Sequence, residues 1–482
     1  MNPIYQLFPA WGVKRQRAMD QLRAYEAAKP TRTHEPRRSK RKPDDLVGFA
    51  GRSLREQARW LDENHDLAVG ILDILVRNIV GTGLDPEPMV RDQSGDLATE
   101  INDALTEFWE DWIKAPEVTG EFDYGTAQRL KCRAWFRDGE VLTQYLTGKV
   151  PGLDHGTRVP FSVELFEADV LPLDFNDKAK RITQGVQKDR WGRPTHYWID
   201  ADPDAGGYRR NYKGVSAHQI NHLKFTRRFK QTRGISVFAP IIIRLADIKD
   251  WEDSERVAAR IAAAVVGVIT KGSPDIYDTD KVSSTKRNLE FNPGTILDDL
   301  EQGEGLELLN PSRPNPNVGK FRDDQIRAAA GGAGVSFSSA SKNYNGTYSA
   351  QRQELSEQDP QYAILWSEFV ARSEKPTWKR FVESCIAAGL VDIGGVDINT
   401  LYDSTWSRPV MPWIDPYKET RSDTEATNGL IDTLEGVWRR RGKKPREMWA
   451  KLKEQAEKLE KIGLRPGEPP QPINEKEEDS KD

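Results

Sequence analysis

"INHLKFTRRFKQTRGISVFAPIIIRLADIKDWEDSE", residues 220–255, holds the transition that decides the fold. Its first residues complete a short strand, "SAHQINHLKF", and its remainder opens a long helix. Ser236 can cap that helix. Pro240 lies near its start, where a missing N–H is tolerated. The helical run continues through "RVAARIAAAVVGVIT" to residue 270 with Gly267 as its one breaker. At ~1.5 Å per residue it predicts a helix of roughly 50 Å. Its second half is small and Ala-rich, which permits close packing against a neighbouring helix.

Upstream, "ARWLDENHDLAVGILDILVRNIVGTG" (58–83) predicts a helix, with Leu67, Ile71, Ile74 and Leu75 at helical spacing and Gly81 as its stop. "ATEINDALTEFWEDWIK" predicts a second, carrying Ile101, Leu105, Phe108, Trp109 and Trp112 on one face. "YGTAQRLKCRAWFRDGEVLTQYLT" reads as a helix turning into a strand through Asp138-Gly139. From 160 to 226 the pattern becomes strands. "FSVELFEADVL" alternates, and "ITQGVQKDRWGRPTHYWID" is a hairpin with "DRWG" at its turn.

Downstream, 271–320 breaks into the short strands and turns of a β-rich insert: "NLEFNPGTIL", "GEGLELL" and "NPSRPNPN". "KFRDDQIRAAAGGAG" resumes helix and stops at Gly331-Gly332. Then comes "SKNYNGTYSAQRQEL" (341–355), a polar loop rich in Asn and Tyr placed directly before a long helical stretch. Between Ser341 and Ala350 it holds no His, Cys or acidic residue, so it is not an evident active site. Helix dominates to Leu390, with restarts expected at Pro360 and Pro376. Tyr362, Leu365, Trp366, Phe369 and Val370 form one stripe, and Trp378, Phe381, Val382 and Cys385 another. Two helices, "TEATNGLIDTLEGVWRRRG" and "PREMWAKLKEQAEKLEKIG", close the pattern. No internal repeat is visible.

At 482 residues the chain is too long for one compact core, and roughly two to four structural units are expected. Charged residues make up 30% and hydrophobic residues 37%, which fits a soluble protein. A net charge of −4 argues neither for nor against a polyanionic partner; the distribution says more. Lys14 to Lys42 is strongly basic and the C-terminal "INEKEEDSKD" acidic; both read first as solvated tails and second as nucleic-acid or capsid contacts. Two cysteines, Cys132 and Cys385, cannot build a disulfide framework, and a reducing cytosolic setting fits. No signal peptide is visible. The longest apolar run, "IAAAVVGVI", is far short of a membrane span of roughly 20 residues, so no membrane role is expected. Fourteen tryptophans suit core packing first and extensive subunit interfaces second.

Catalytic constellations are missing. No G-x-x-x-x-G-K-[ST] loop is present; Gly148-Lys149 is followed by Val150. "GGAG" (331–334) follows a helix rather than a strand and reads as a helix stop. His218 and His222 lack an intervening Glu and lie in a strand pattern, so no metal site is assigned. Acidic pairs such as Asp323-Asp324 and Asp298-Asp299 read as solvated faces, with a nuclease-like metal site as the alternative. No catalytic residue and no cofactor is expected.

Several stretches together resemble the portal proteins of tailed bacteriophages, in the lambda-like branch. "GVQKDRWGRPTHYWI" (185–199) is similar to that family's Gly-Val-x-x-Asp-x-x-Gly-Arg-Pro hairpin. Residues 220–255 are similar to its strand, Arg-Gly-x-Ser turn and stem-helix start. "SKNYNGTYSAQRQEL" is similar to its Asn-Tyr-Ser-Ser-x-Arg segment, and "WIDPYKETRSDTEATNGLIDTL" to its Asp-Pro-x-Lys-Glu stretch. "NHDLAVGILDILVRNIVGTG" extends the match towards the N-terminus. Two departures stand out: Gly346-Thr347 separates Tyr344 from Tyr348, and "RRRGKKPREMW" is basic where the family tends to be acidic.

The resemblance implies an α+β, mostly helical, ring-forming portal fold. Its parts would be a basic N-terminal arm (1–45), an α/β wing (46–235), a stem helix (236–270), a β-rich clip (271–320) and a second stem helix (321–335). A channel loop (336–349), a long wing helix with its return segment (350–420), a helical crown (421–465) and an acidic tail (466–482) would complete it. It implies a homo-oligomeric ring, usually a dodecamer, at one capsid vertex, assembled in the host cytoplasm and carried in the virion. Duplex DNA would pass through its channel during packaging and ejection, driven by a separate terminase ATPase, which agrees with the missing phosphate loop. The terminase large subunit, the head-tail adaptor and the major capsid and scaffolding proteins would be its partners.

By the same analogy Ser341, Lys342, Asn343, Tyr344, Asn345 and Tyr348 would face DNA without reading bases. Trp251, Arg256, Arg260, Ile261 and Val265 would form the stem's oligomer surface. Asn292, Pro293, Glu304 and Arg313 would lie on the clip, where partners dock. A metal-dependent DNA-processing enzyme and a non-viral helical scaffold are the alternative readings.

Overall fold

A computed structural model describes residues 39–201, 211–264, 268–271, 304–307, 317–410 and 416–461, with scattered positions before residue 39. Two helices, α1 (Pro43–Asn64) and α2 (Asp66–Ile79), replace the single helix expected over 58–83. His65 separates them. Its backbone is extended (φ −124°, ψ 108°), and its buried ring donates from Nε2 to the Leu245 carbonyl at 2.9 Å. Helix α1 also starts inside the arm expected over 1–45. Pro43 fits a first helical turn, and Asp44 and Asp45 complement the positive end of the helix dipole.

After a short strand, β1 (Pro86–Pro88), α3 (Thr99–Trp112) carries the expected apolar face, with Leu105, Trp109 and Trp112 buried. Asp123 caps α4 (Tyr124–Arg137) by accepting from the Thr126 amide at 2.6 Å. Through Asp138-Gly139 the chain enters β2 (Glu140–Thr147), as the sequence predicts. Strand β3 (Phe161–Glu167) pairs with one side of β2. A second sheet is built in sequence order from β4 (Ile182–Thr183), β5 (Val186–Lys188), β6 (Pro194–Asp200) and β7 (Tyr212–Ser216). Asp189 holds the β5–β6 turn by accepting from the Trp191 and Arg193 amides, each at 2.8 Å. Strand β8 (Ile220–Lys224) returns to pair with β2, which becomes the centre of the first sheet. All these ladders are antiparallel, so the unit is α+β rather than an alternating βαβ layer.

The long helix α5 spans Ile242–Ala264, shorter than the 236–270 expected, because Ser236 and its neighbours form a turn before it. Strands β9 (Val268–Lys271) and β10 (Glu304–Glu307) pair antiparallel; the rest of the expected β-rich insert lies outside the described residues. Helix α6 (Val318–Ala333) runs through Gly331-Gly332, where its stop is expected, and ends instead at the last glycine of "GGAG", Gly334, which takes the left-handed region (φ 78°). A short helix, α7 (Phe337–Ser341), precedes α8 (Tyr348–Phe369).

Helix α8 runs through Pro360 without restarting. The interruption falls at a π turn, Val370–Glu374, and Pro376 then sits in the first turn of α9 (Lys375–Ala387). Strand β11 (Ser404–Trp406) closes back on β1. Among the described residues three helices come after it instead of two: α10 (Pro416–Asn428), α11 (Leu434–Arg440) and α12 (Pro445–Lys461). The extra break lies at Leu430, which has φ 55°, and Thr433 recaps α11 by accepting from the Gly436 amide.

The main core lies where α2, α3, α4, α8 and α9 meet the first sheet. Its centre is aromatic. Trp109, Trp112, Tyr124, Trp378 and Phe381 stand with ring centroids 4.9–5.6 Å apart, in tilted, edge-on and stacked pairs. Both cysteines are buried free thiols. No described helix is long and apolar enough to cross a membrane.

Candidate functional site

Residues 342–347 form a compact polar turn between α7 and α8. Of the loop expected over 336–349, Ser336 and Lys342–Thr347 lie outside helix. The difference has a local cause. Ser336 is extended and its carbonyl accepts from the Ala340 amide, while Ser341 Oγ donates to the Phe337 carbonyl at 2.8 Å, so 337–341 closes one helical turn. Lys342 ends that turn in the left-handed region (φ 57°), with its side chain exposed.

Asn343 organises the residues beyond it. Its amide N–H donates to Ser341 Oγ (3.2 Å) and its Oδ1 accepts from the Asn345 amide (3.1 Å). Its side-chain NH2 donates to Asp323 on α6 (3.3 Å). From the other side, the Gln351 side chain on α8 donates to the carbonyls of Tyr344 and Gly346. Thr347 caps α8 by accepting from the Ala350 amide at 3.3 Å. The turn is thus tied to both flanking helices, while Lys342, Tyr344 and Asn345 remain exposed. Tyr348 is the first residue of α8; its side chain lies outside the described residues. One cation, one phenol and several amides can offer hydrogen bonds and a single charge, with no acid–base or nucleophilic pair among them.

Helices α5 and α6 pack through their first and last halves respectively. Leu245 and Ile248 are buried on α5; Ile326, Ala329, Ala330 and Ala333 are buried on α6. Gly332 admits Ile241, whose side chain would overlap a Cβ there. Farther along, Trp251 stacks obliquely on Phe321 (centroids 5.0 Å), and Arg322 pairs with Glu252 at 2.5 Å. From Trp251 to Arg260 no residue is buried, and Val257 is 48% exposed. Arg256 pairs with Asp253 on its own helix and Arg260 is exposed; the side chain of Ile261, and Val265 altogether, lie outside the described residues. Of the clip set, Glu304 begins β10 opposite Lys271, whereas Asn292, Pro293 and Arg313 lie outside the described residues.

A buried charge network holds the start of the long helix against the sheets. Glu140 is fully buried. It accepts from Arg233 Nε at 2.8 and 3.0 Å, from the Gly234 amide at 2.8 Å and from Arg55 at 3.2 Å, and it meets His222 Nε2 at 2.9 Å. Arg233, also fully buried, spends its other N–H groups on the carbonyls of Leu171 (2.8 Å), Gln184 (3.1 Å) and Ala168 (3.0 Å). Burial alone would raise the Glu140 pKa, but the Arg233 and His222 contacts override it and hold the carboxyl far below the usual range. Burial pushes His222 below its ordinary value, against the pull of Glu140.

Gly139 and Gly234 cross backbone to backbone at this point; a Cβ on Gly234 would overlap the Gly139 carbonyl. A second buried pair, Lys131 and Glu374 (2.8 Å), ties α4 to the π turn. Tyr124 OH (2.6 Å) and the Gln128 side chain (2.7 Å) donate to the same carboxylate. Sequence reasoning passed over both networks. For the Glu140 network the legible signals were "DGE" and "RGIS", two glycine-bearing turns flanked by a charge.

His218 and His222 are not brought together as a pair: His218 occupies a turn and His222 belongs to Glu140. Asp323 serves Asn343, and Asp324 pairs with Arg327 at 3.0 Å. Among the described residues, no group of three or more His, Cys, Asp or Glu side chains is placed to hold a metal ion.

Comparison with known proteins returns one theme. A family model described as phage portal protein, lambda family, matches residues 29–365. A relative described as a probable portal protein of Halomonas phage phiHAP-1 is 22% identical over 448 residues, covering 87% of this chain and 83% of its own. Among solved structures, the neck of an empty gene transfer agent particle, computed with C6 symmetry, aligns with TM-score 0.41 and 12% identity over 86% of this chain and 94% of that one. The virion of a native gene transfer agent particle aligns at 0.37 and 13%, with the same coverage of both chains.

Proposed function

This chain belongs to the lambda family of phage portal proteins, and on that premise we propose that identical copies close into a ring, a dodecamer, at one vertex of a viral head, around a bore that conducts duplex DNA. The portal role itself is structural, and the match over residues 29–365 carries it.

The exposed half of α5 supports ring closure. A helix with no buried residue from Trp251 to Arg260, yet bearing Trp251, Val257 and the Ala258-Ala259 pair, needs a surface to cover it; the corresponding face of a neighbouring copy would supply one. The turn at 342–347 supports the bore. Each neutralised phosphate releases counterions and deepens binding, so a channel that gripped many phosphates would stall the duplex. One exposed lysine per copy, on a turn latched to two helices, gives weak, sequence-independent contact. Residues 271–320 would form the partner-docking end for the terminase large subunit and later the head-tail adaptor. The sides of the ring would meet capsid and scaffolding proteins. No catalytic step is assigned to the chain; a separate ATPase drives translocation.

Electron-microscopy class averages and native mass spectrometry of the purified chain test this. Closed rings, with a mass that is a multiple of 54.7 kDa, are expected. A stable monomer under every assembly condition contradicts the proposal.

A further inference from the structure

We infer that the concave basic surface formed by Arg227, Arg228 and Lys230 with Arg372 and the Lys40–Lys42 segment is a second, sequence-independent binding site for the phosphate backbone of duplex DNA, separate from the turn at 342–347. The loop after β8, "TRRFK" (226–230), rims a cavity of about 620 Å³. The lining also includes Lys224, His222 and Gln231, and no carboxylate belongs to it. Arg227, Arg228, Phe229 and Lys230 are all exposed, Phe229 at 97%.

The loop is held in shape. Its floor is Lys224, whose Nζ donates to the Gln231 and Thr232 carbonyls at 2.9 Å each, and Gln231 Oε1 accepts from the Arg227 amide at 3.3 Å. Arg228 donates to the Arg41 carbonyl at 3.1 Å, which joins the loop to the exposed Lys40-Arg41-Lys42 run. Arg372 enters from the π turn, where Glu368 on its own helix is its ion partner at 3.0 Å. Nearby Asp44 is committed elsewhere: it accepts from the Thr232 amide and hydroxyl, each at 2.7 Å, and lies 3.9 Å from Lys188.

Arg227, Arg228 and Lys230 have no carboxylate in the lining to pair with, so they repel one another, and an external anion relieves that repulsion. Burial above all pushes Lys224 down to about 8; Lys188 and Arg372 add to that, and Glu140 and Asp44 oppose it. The shape of the cluster favours a polymer. Its members come from a loop, a π turn and the segment before α1, and together they make a continuous basic surface rather than a single-anion pocket. Arg372 and Lys342 stand near opposite ends of α8, a 22-residue helix about 33 Å long, so the surface is distinct from the channel turn. The choice of DNA over other polyanions rests on the reading of the chain as a DNA conduit; the site itself does not require a ring.

Binding of a short, fluorescently labelled duplex of arbitrary sequence to the full-length assembly, titrated against salt, tests the inference. Arg227→Gln/Arg228→Gln/Lys230→Gln should reduce the slope of log affinity against log salt by about two to three and leave assembly, seen by electron microscopy, unchanged. Lys342→Gln should change the slope by about one at most. Phe229→Ala separates the occupants: phosphate contact survives it, whereas an acidic protein segment docked on the exposed ring would be lost. An unchanged slope in the triple variant, or loss of duplex binding in Phe229→Ala equal to that of the triple variant, overturns the inference. Intact rings with an unchanged slope reject this site alone; loss of rings in the unmodified chain rejects the conduit.

Discussion

Glu140 is the residue at which α1, strand β8 and the segment leading into α5 converge. It collects two arginines, a histidine and a backbone amide inside the protein, where a lone charge is costly. Glu140→Gln leaves Arg233 buried without a carboxylate, and we expect a loss of about 3–5 kcal/mol, read as a lower urea midpoint. Gly234→Ala should prevent soluble folding, because the new methyl meets the Gly139 carbonyl.

The network also sets a pH dependence. Both Glu140 and His222 have folded pKa values below their ordinary ones, so in each case the unfolded chain binds the proton more readily. Stability is fully present above the unfolded values and declines on acidification, first below about pH 6.5 through His222 and then below about pH 4.5 through Glu140. His222→Gln keeps an N–H for Glu140 but cannot take up a proton. It should flatten the fall in Tm in the upper window, and an unaltered profile would show that another group titrates there. The sequence shows the two turns but not that they pair. "DGE" and "RGIS" are 93 or more residues apart, and only the fold makes them neighbours.

Among the elements, those with a strong hydrophobic period were readable and those governed by side-chain-to-backbone bonds were not. The faces of α3 and α9 come directly from apolar spacing, and the β5–β6 hairpin from Asp189 and Gly192. The break at His65 depends on a carbonyl far along the chain, so a local pattern reads through it. Pro360 reads as a restart in the sequence, but α8 carries it inside, and the irregularity falls instead at the π turn where Glu374 meets Lys131.

The turn at 342–347 shows the same division. Its polarity and its position before α8 were plain, whereas its latch through Asp323 and Gln351 required the tertiary structure. Thr347→Ala should raise the opening equilibrium of the first turn of α8 about fivefold. Gln351→Ala should free 342–347 with little effect beyond. Hydrogen exchange distinguishes the two: faster exchange confined to 342–352 is expected, and unchanged exchange there in both variants contradicts the latch.

Across the whole molecule, tryptophan shows how far composition reaches. Trp109, Trp112, Trp135 and Trp378 fill the core, so the high count is first a packing fact. Trp191 is 75% exposed, on the β5–β6 turn. The fold class was readable because helical and strand periods alternate in long blocks. The proposed ring rests on resemblance, since a single chain records an interface merely as an uncovered surface. Val257→Asp, on the exposed half of α5, should impair assembly while leaving the Tm of the unassembled chain unchanged, as sedimentation and thermal melts would show.

Reconstruction of the assembled chain by electron cryo-microscopy puts the ring and its bore to the test together. A closed ring is expected whose bore admits duplex DNA, with residues 342–347 of every copy on its inner wall and the outer half of α5 covered by the neighbouring copy. A ring in which 342–347 faces outward, or a bore too narrow for a duplex in every state, contradicts the DNA-conduit reading.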